Sequence, residues 1–406
     1  MQKDKLFNYF VETRKKSLEI CKRIEIEDYS VQPHPDISPP KWHLAHSSWF
    51  FEQVILLKTN KIKKPYNKEF NLIFNSYYKA AGSHWKQSER GLLSRPTVKE
   101  ILQYRKYINL EIKNIFKSKD KYKRYHGLIE LGIHHEQQHQ ELLYMDIKYI
   151  YAANPSYPSY EKKNLPTNLS KKPTWENFKE NIYNIGHNND SFSYDNEKPN
   201  HKKYLYSFKI RKNLVTNKEF LTFIKDQGYE NPKYWLSKGW DWIKNNKIYQ
   251  PLYWHNINNK WYEYTLHGLK KLNLNNPVCH VSYFEAYAFC QWAGNRLPTE
   301  EESEVYLNSI KNTRPKTSDI LHATSTNKNI NNLWWWTKSH YSSYPGYDPY
   351  KGILEEYNEK FMCNQFVLKG GSFATPKNHF RNTYRNFYEP HQRWMFSGIR
   401  MARDVK

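Results

Sequence analysis

The sequence predicts two folded parts, an N-terminal antiparallel four-helix bundle and a C-terminal α+β domain with little regular structure. A chain of 406 residues, 38% of them apolar, is long enough to build two hydrophobic cores. Apolar residues recur at helical spacing up to about residue 153, whereas from about residue 180 short segments dense in Trp and Tyr alternate with Gly, Pro and Asn. We therefore place the bundle at 1–155, a linker at 156–179 and the second domain at 180–406.

Four stretches of the N-terminal part carry apolar residues three and four positions apart, the spacing of one helix face. They are "DKLFNYFVETRKKSLEICKRI", "KWHLAHSSWFFEQVILLK", "PTVKEILQYRKYINLEIKNIF" and a run from about 124 to 152. The second follows a proline pair and the third opens with a proline, both typical of helix starts. After them, "ANPSYPSYEKKNLPTNLSKKPTWENF" has the composition of a linker. The core of a four-helix bundle is a usual place for a metal bound by side chains of facing helices.

Composition argues against several functional classes. The net charge of +23 would ordinarily indicate a nucleic-acid partner, but the lysines are spread along the chain without a long basic block or a nucleic-acid-binding module. The sequence contains no run of roughly eighteen apolar residues, which is the length that a membrane-spanning helix requires. Its first residues, "MQKDKLFNYF", are too charged for a signal peptide. The four cysteines form no C-x-x-C pair, which indicates reduced thiols. We expect a cytoplasmic protein without a nucleic-acid or membrane partner.

The stretch "GIHHEQQHQELLYMDI", residues 132 to 147, contains the H-E-x-x-H pattern of zinc-protease helices. On a helix, His135 and His139 lie one turn apart and can bind one metal ion. A third ligand must come from another segment, and "KWHLAHSSWFF" contains His43 and His46. Apolar residues lie one turn from His46 on either side, so we expect this ring to face the core. The helix face predicted to point inward comprises Leu128, Leu131, His135, Gln138, His139 and Leu142.

Spacing alone leaves the role of this histidine pair open, because such pairs also occur as ordinary core residues with hydrogen bonds. His134 lies about 100° around the helix from His135 and does not share the face. Three neutral imidazoles leave coordination positions free, which suits either catalytic zinc or redox-active iron. A protease of the extended H-E-x-x-H-x-x-G-x-x-H type is the weakest alternative, because "HQELLYMDI" lacks the continuation of that pattern.

Ten segments, in order and spread over nearly the whole chain, form a recognisable set: "SPPKWHLAHSSWFFE", "FNSYYKAAGSH", "RGLLSRPTV", "GIHHEQQHQELL", "NLVTNKEFLTFI", "TLHGLKKLN", "PVCHVSYFEA", "NRLPTEEE", "YPGYDPY" and "YRNFYEPHQRWMFSGIRMARD". Together they resemble the ergothioneine-biosynthesis sulfoxide synthases of bacteria. A single piece such as "RLPTE" is shared with formylglycine-generating enzymes, so the specificity of the match lies in the ordered set. The resemblance implies a DinB-like four-helix bundle followed by a formylglycine-generating-enzyme-type domain, related to the C-type lectin fold, which completes the active site.

The resemblance also implies a reaction and a metal. Members of this family use non-haem Fe(II) and dioxygen to join the imidazole of hercynine, which is Nα-trimethylated histidine, to the sulfur of a thiol. The sulfur is oxidised to a sulfoxide in the product. The family's three iron ligands match His46, His135 and His139, the residues that the helix pattern also selects. A tyrosine supplies a proton in this family. Tyr77 and Tyr78 match this tyrosine, although both could be aromatic residues that only contribute to packing. The alternative proton donors, in a later loop, are Tyr347, Tyr350 and Tyr357.

Three of the remaining site predictions are also carried over from the resemblance. Gln138 matches a glutamine near hercynine, and Asn386 and Phe387 match positions that contact its trimethylated amino group, where an aromatic face attracts a cation. Independently of the resemblance, Arg90, Arg385 and Arg393 could bind substrate carboxylates by bidentate contact, although an ordinary surface ion pair is the favoured interpretation of each one taken singly.

The identity of the sulfur donor depends on one departure from the family. Tyr388 stands where the branch that uses γ-glutamylcysteine has an acidic residue, which favours free cysteine. A selenosugar, as in selenoneine-type synthases, remains an alternative donor, and an iron-free lectin-like binding module remains an alternative from another class. Two further departures, Ser303 for tryptophan and Trp335 for glutamate, concern local packing. Formylglycine-generating activity is not expected, because the copper-binding cysteine pair is missing. The sequence predicts no oligomeric state.

Overall fold

A computed structural model describes residues 2–58, 61–166, 172–310, 320–324 and 333–405. The chain forms two compact units. The first comprises Met1–Tyr160 together with Tyr350–Tyr357, and the second comprises Glu161–Pro349 and Asn358–Lys406. A short segment from late in the chain therefore belongs to the helical unit. The boundaries predicted at 155 and 179 stay predictions, and part of the predicted linker, 167–171, lies outside the described residues.

The first unit is helical, as predicted, and all four predicted helices are present. Its helices are α1 (Lys3–Cys21), α2 (Pro40–Phe51), α3 (Glu69–Phe74), α4 (Val98–Phe116) and α5 (Lys119–Ala153). A π-helix over Glu52–Leu57 continues α2 directly. The longest helix, α5, has 35 residues and packs mainly against α1 and α2. In the part of the chain that the structure describes, no helix combines the length and the apolar character needed to cross a membrane.

Local sequence signals explain where these helices begin. Helix α2 starts at Pro40, and a proline at the first helical position has no amide proton to leave unpaired. Helix α4 starts after Thr97, whose hydroxyl accepts a hydrogen bond from the Glu100 amide while the Glu100 carboxylate accepts one from Thr97. Helix α5 starts after Ser118, which accepts from the amide of Lys121.

The second unit combines short helices with small sheets, as the sequence predicted. Its helices are α6 (Asn217–Lys225), α7 (Ser237–Asn245), α8 (Tyr283–Trp292) and α9 (Glu300–Ser309). Its strands are β1 (Trp175–Phe178), β2 (Asn181–Ile185), β3 (His201–Leu205), β4 (Phe208–Arg211), β5 (Trp254–Ile257), β6 (Lys260–Thr265), β7 (Gly268–Lys271), β8 (Trp334–His340), β9 (Phe366–Lys369), β10 (Asn386–Tyr388), β11 (Ser397–Gly398) and β12 (Ala402–Asp404).

These strands form four sheets, with orders β1-β4-β12, β10-β9-β8-β11, β2-β3 and β5-β6-β7. The pairs are antiparallel except β8 with β11, where Ser397 lies opposite Trp334. The first three residues of β8, Trp334, Trp335 and Trp336, are fully buried, so this strand lies in the core of the unit. Most strands have five residues or fewer, which explains why the sequence of this region shows little regular alternation.

Two departures from the family pattern are in contact. Trp335 on β8 donates its indole N–H to the hydroxyl of Ser303 on α9, with 3.2 Å between the nitrogen and the oxygen, and both residues are fully buried. The large residue on the strand therefore occupies space next to the small residue on the helix. The backbone accommodates this ring at Gly370, where an added Cβ would lie 1.9 Å from a Trp335 ring atom.

Candidate metal centre

Three histidines from two helices converge in the helical unit. Helix α2 contributes His46, and α5 contributes His135 and His139; one ring nitrogen of each lies within 4.8 Å of the others. The ring centroids are 5.0 Å apart for His46 and His135, and 4.7 Å apart for each of the other two pairs. Among the described residues this is the one group of three or more His, Cys, Asp or Glu side chains with the spacing of metal ligands.

The environment keeps all three rings neutral at physiological pH. Burial, reinforced by the two neighbouring imidazoles, lowers the pKa of His46 well below 6.5. Burial is also the main cause that lowers the pKa of His135, followed by His139, and the pKa of His139, followed by His43 and Arg90. A neutral imidazole offers a lone pair, which is the form that binds a metal ion.

Hydrogen bonding and stacking fix the orientation of the His46 ring. Its Nδ1–H donates to the carbonyl oxygen of Phe74 at 2.6 Å, which leaves Nε2 without a proton, 3.2 Å from Nε2 of His135. The ring stacks between Trp42, at 4.6 Å and 9°, and Trp49, at 5.4 Å and 18°. Nδ1 of His46 is thereby the fixed donor and Nε2 the available ligand atom.

The arrangement fits a divalent metal ion. His135 stacks on Phe50 at 4.0 Å, and its buried Nδ1 has no hydrogen-bond partner within the described residues. Nε2 of His46 and Nε2 of His135 lie 3.2 Å apart, and a cation bound by both nitrogens would stabilise two lone pairs at this separation. Three neutral nitrogens without a thiolate or a carboxylate suit Fe(II) or Zn(II), and they leave coordination positions for substrates.

The glutamate of the H-E-x-x-H pattern faces away from the three histidines. Glu136 is 1% exposed, accepts hydrogen bonds from Arg14 and Arg105 at 2.8 Å each, and accepts another from Ser17 at 2.6 Å. Burial alone would raise its pKa, but the two arginines lower the pKa to about 2. Glu136 therefore holds helices together as a buried anion. It is not placed to activate a metal-bound water, which agrees with the rejection of the protease hypothesis.

The helix face predicted to point inward is more accessible than expected. Leu131 and His135 are buried, but Leu128, Gln138, His139 and Leu142 are half-buried, whereas Glu136 and other residues on a different side of α5 are buried. The reason is that α5 packs against α1 and α2 on other sides as well. The ligand-bearing face thus keeps part of its surface open, which a site for small molecules requires.

The predicted tyrosines lie beside the aromatic rings that surround the histidines. Tyr78 is buried, with its ring centroid 5.6 Å from that of Trp49 and 6.4 Å from that of Phe50. Tyr77 is half-buried, stacks on Tyr78 at 4.4 Å, and donates its hydroxyl to that of Tyr78 at 3.3 Å. Tyr78 therefore packs beside two of the rings that stack on the histidines, and the catalytic role of both tyrosines stays a prediction.

Tyr357, one of three alternative tyrosines, lies at the cluster. Its hydroxyl donates to Oε1 of Gln138 at 2.6 Å, and its ring centroid is 6.0 Å from that of His135. Its carbonyl accepts from Tyr77 at 3.4 Å. No local signal in the sequence indicates that Tyr350–Tyr357 folds with helices some 200 residues earlier. Tyr347, by contrast, belongs to the second unit, where its hydroxyl donates to a carboxylate at 2.9 Å.

Arg90 is buried in the helical unit. Its guanidinium carbon lies 3.4 Å from the centre of the Trp42 ring, and its Nη1 donates to Ser38 Oγ at 2.8 Å. Burial lowers the pKa of Arg90 to about 9. The cation is therefore stabilised by an aromatic face and a hydroxyl. Its predicted contact with a substrate carboxylate stays a prediction.

The other predicted arginines lie in the second unit and have internal partners. Arg385 makes two hydrogen bonds to Glu300, at 2.7 and 3.0 Å, and others to the carbonyls of Asn196 and Ser342. These contacts favour the ion-pair alternative for Arg385 over a substrate-binding role.

Arg393 and the β10 residues complete the set of predicted positions. Arg393 donates to the Gln250 carbonyl at 2.9 Å and to Glu285 at 3.2 Å, so it too has a structural partner. Asn386 and Phe387 are half-buried on β10, and Phe387 stacks on Tyr341 at 4.0 Å and 10°. Their predicted contact with hercynine stays a prediction.

Sequence reasoning missed the residues directly behind His139. Nδ1 of His43 lies 2.8 Å from Nδ1 of His139, and Nε2 of His43 lies 2.8 Å from Oδ2 of Asp146. His43, the other histidine of the second predicted helix, is not in the group of three and contacts His139 instead. A signal for Asp146 was present, because it lies seven residues after His139 and hence on the same face of α5.

The chain is similar to several known proteins. The family model described as "Sulfatase-modifying factor enzyme 1-like domain" matches residues 180–330 and 326–405. A hercynine oxygenase of Mycobacterium tuberculosis is 30% identical over 243 residues, which are 52% of this chain and 56% of that protein. One of Mycolicibacterium smegmatis is 30% identical over 248 residues, with the same coverages.

A fungal relative is also similar. Ergothioneine biosynthesis protein 1 of Schizosaccharomyces pombe is 28% identical over 232 residues, which are 52% of this chain and 28% of that protein. The matched region thus spans little more than half the length of the mycobacterial relatives, at 56% for both, and less of the fungal one.

Proposed function

The chain belongs to the sulfatase-modifying factor enzyme 1-like family, and we propose that it is an iron-dependent hercynine oxygenase of ergothioneine biosynthesis. The names of the mycobacterial and fungal relatives support an oxidoreductase acting in this pathway. The observation that carries the proposal is the convergence of His46, His135 and His139, three neutral imidazoles whose nitrogens lie within 4.8 Å of one another. We further propose that the helical unit has the DinB-like fold and that the protein is cytoplasmic.

The proposed reaction joins the imidazole carbon between the two nitrogens of hercynine to the sulfur of a thiol. One dioxygen is consumed, a C–H and an S–H bond are broken, a C–S bond forms, and the products are a sulfoxide and one water. Ferrous iron bound by His46, His135 and His139 would supply one-electron redox chemistry and open positions for substrates. Free cysteine is the favoured thiol, because Tyr388 cannot pair with the amine of a glutamyl group as a carboxylate would.

The chain's own residues supply orientation and protons. Gln138 accepts a hydrogen bond from Tyr357 at 2.6 Å, which fixes the amide next to the histidines, and this side chain is proposed to contact hercynine. Tyr77, Tyr78 and Tyr357 are the candidate proton donors, and the Tyr77 hydroxyl lies 3.3 Å from the Tyr78 hydroxyl and 3.4 Å from the backbone carbonyl oxygen of Tyr357. Asn386 and Phe387 are proposed to contact the trimethylated amino acid.

The proposal is tested by reconstituting the protein with Fe(II) without oxygen and then adding hercynine, oxygen and one of three donors. These are cysteine, γ-glutamylcysteine and a selenosugar, and mass spectrometry of the product identifies the donor. We expect the cysteine sulfoxide, and we expect its loss in His46→Ala. The matched control is His134→Gln, which removes a histidine that is 4% exposed, next to His135 and outside the cluster.

Two outcomes would change the assignment. A selenium-containing product in place of the sulfoxide would identify a selenoneine-type synthase. No iron after anaerobic loading, together with no product, would contradict the proposal and favour a binding module on the lectin-like fold.

The proton donor is tested separately by replacing each candidate tyrosine with phenylalanine. Losing the donor should lower sulfoxide formation by roughly 10²- to 10⁴-fold relative to plain thiol oxidation, since general acid catalysis typically contributes that much. We expect this change for at least one of Tyr77→Phe, Tyr78→Phe and Tyr357→Phe. Tyr122→Phe, near the start of α5 and never a candidate donor, is the control. An unchanged ratio of the two products in all three variants would exclude these three tyrosines from this step.

A further inference from the structure

We propose that Asp146 and His43 act as a hydrogen-bonded relay that sets the tautomer and orientation of His139 and thereby strengthens metal binding at the cluster. The proposal rests on the metal site of the proposed function. It assigns a positioning role to two residues that do not belong to the group of three ligands. The relay lies within the helical unit, with His43 on α2 and both Asp146 and His139 on α5.

The relay is a continuous chain of short contacts in a buried place. Oδ2 of Asp146 lies 2.8 Å from Nε2 of His43, and Nδ1 of His43 lies 2.8 Å from Nδ1 of His139. His43 is 3% exposed and Asp146 is 2% exposed. Hydrogen bonds in such a place are strong because water does not compete for them, and each must have one donor and one acceptor.

The position of each proton follows from Asp146. A carboxylate is purely an acceptor, so Nε2 of His43 must carry the proton of the first hydrogen bond. The backbone N–H of Ser38 donates to the same Oδ2 at 2.9 Å, which further favours the ionised carboxylate. With this proton on Nε2, the neutral ring of His43 has a lone pair on Nδ1, which therefore accepts from the nitrogen 2.8 Å away.

The second hydrogen bond then determines the tautomer of His139. Nδ1 of His139 must be protonated to donate to His43, which leaves Nε2 with a free lone pair for the metal. The same bond restricts rotation of the ring. A carboxylate behind the imidazole also makes the ligand nitrogen more basic.

The three histidines of the cluster differ in the hydrogen bonds that orient their rings. Nδ1 of His46 donates to a backbone carbonyl, and Nδ1 of His135 has no hydrogen-bond partner in the described part of the chain. Within that part of the chain, His139 alone among the three is held by a second imidazole that itself contacts a carboxylate. The relay therefore predicts that changes behind His139 weaken metal binding although no ligand is lost.

The test measures metal binding in the full chain, with Fe(II) under anaerobic conditions and with Co(II), whose visible spectrum reports ligand geometry. Asp146→Asn keeps the size of the side chain but removes the charge, and His43→Leu breaks the relay. Each should lower the affinity by about 10- to 100-fold. His134→Gln, a buried histidine of the same helix outside the relay, should leave the affinity unchanged.

A double variant separates a relay from two independent effects. His43→Leu leaves Asp146 as a buried charge without this partner, so the single variant can fail to fold, whereas His43→Leu with Asp146→Asn removes that charge. Because the two residues act in series, the double variant should bind metal no more weakly than His43→Leu alone. If the loss of affinity in the double variant equals the product of the losses in the two single variants, the relay is contradicted. Thermal unfolding of the metal-free forms shows which variants are folded.

A second readout addresses the protons directly. In the protein loaded with Zn(II), ¹⁵N NMR of labelled histidines should show a proton on Nε2 of His43 and on Nδ1 of His139. A protonated Nδ1 on His43 would overturn the relay. Equal affinities in the wild type and Asp146→Asn would also overturn it, while leaving the proposed function intact. A wild-type protein that binds neither Fe(II) nor Co(II) would overturn the metal site and the proposed function together.

Discussion

Glu197 in the second unit shows how one residue can determine the pH range over which the fold is stable. Its buried carboxylate accepts hydrogen bonds from Arg381 at 2.7 and 3.0 Å, from the Thr383 hydroxyl at 2.5 Å and from the Tyr194 amide at 2.9 Å. Burial by itself would raise its pKa, but Arg381 and the other donors lower the pKa below the usual value of 4.5. The carboxylate of Glu197 therefore binds a proton less readily in the folded state than in the unfolded state.

Replacing Glu197 with glutamine is predicted to lower the free energy of unfolding by about 3–5 kcal/mol at pH 7, because Arg381 becomes a buried cation without its carboxylate. The carboxylate stabilises the wild type fully above pH 4.5, and this contribution is lost as the pH falls below that value. Urea unfolding at a series of pH values should show the difference between wild type and variant shrinking in acid. Glu89→Gln, which breaks an exposed pair with Lys86, is the control, with a change within about 0.5 kcal/mol. A difference independent of pH would contradict the ionised state of Glu197.

At the scale of elements, helix periodicity was a sufficient guide to the helices that carry the three histidines. It located α2 and α5, and it selected His135 and His139 because side chains four residues apart share a helix face. It also favoured His46 through the apolar residues one turn away, but it could not show that His43 contacts His139, because that contact depends on how α2 packs against α5. The contact of Tyr357 with Gln138 was beyond such reasoning, because a pairing 219 residues apart leaves no local pattern.

The second unit was predicted less completely for a related reason. Its strands are short, many with three to five residues, and several pair with strands far away in the sequence, as β12 does with β4. Such pairings are determined by packing across the unit, so the sequence predicted an α+β class without a sheet order. The internal partners of Arg385 and Arg393 were unforeseen because they come from distant segments.

The close packing of α5 on α2 can be tested at Gly132. A Cβ added there would lie 2.5 Å from a ring atom of Phe51, which is fully buried on α2. In Gly132→Ala, the buried Phe51 ring or the helix that carries His135 and His139 must shift, and either shift disturbs the packing of α5 on α2. We expect the free energy of unfolding to fall by about 1–3 kcal/mol and metal affinity to fall with it.

Gly127 provides a matched control on the same helix. An added Cβ at this exposed position meets nothing within 4 Å, so Gly127→Ala should raise the free energy of unfolding by about 0.5–1 kcal/mol through its better helix propensity. Urea unfolding and Co(II) titration of both variants provide the measurements. Equal behaviour of the two variants would show that the separation between α2 and α5 does not determine the geometry of the histidine cluster.

At the scale of the whole molecule, the excess of positive charge is the property that the proposed function leaves unexplained. The chain has 63 Lys and Arg against 40 Asp and Glu, which gives the net charge of +23. Charge of one sign produces a long-range field that attracts any polyanion and repels other copies of the same chain. The proposed substrates are small molecules, so this charge is not required for recognising them.

We predict that binding to DNA reflects net charge alone. On a DNA column the protein should be retained at low ionic strength and released near physiological salt, where the screening length is about 8 Å and weak phosphate contacts are lost. A heparin column gives the control, because a polyanion without bases should release the protein at a similar salt concentration if charge is the cause. Retention on DNA well above physiological ionic strength, and beyond the point of release from heparin, would instead reveal a nucleic-acid-binding surface and a function in addition to the proposed one.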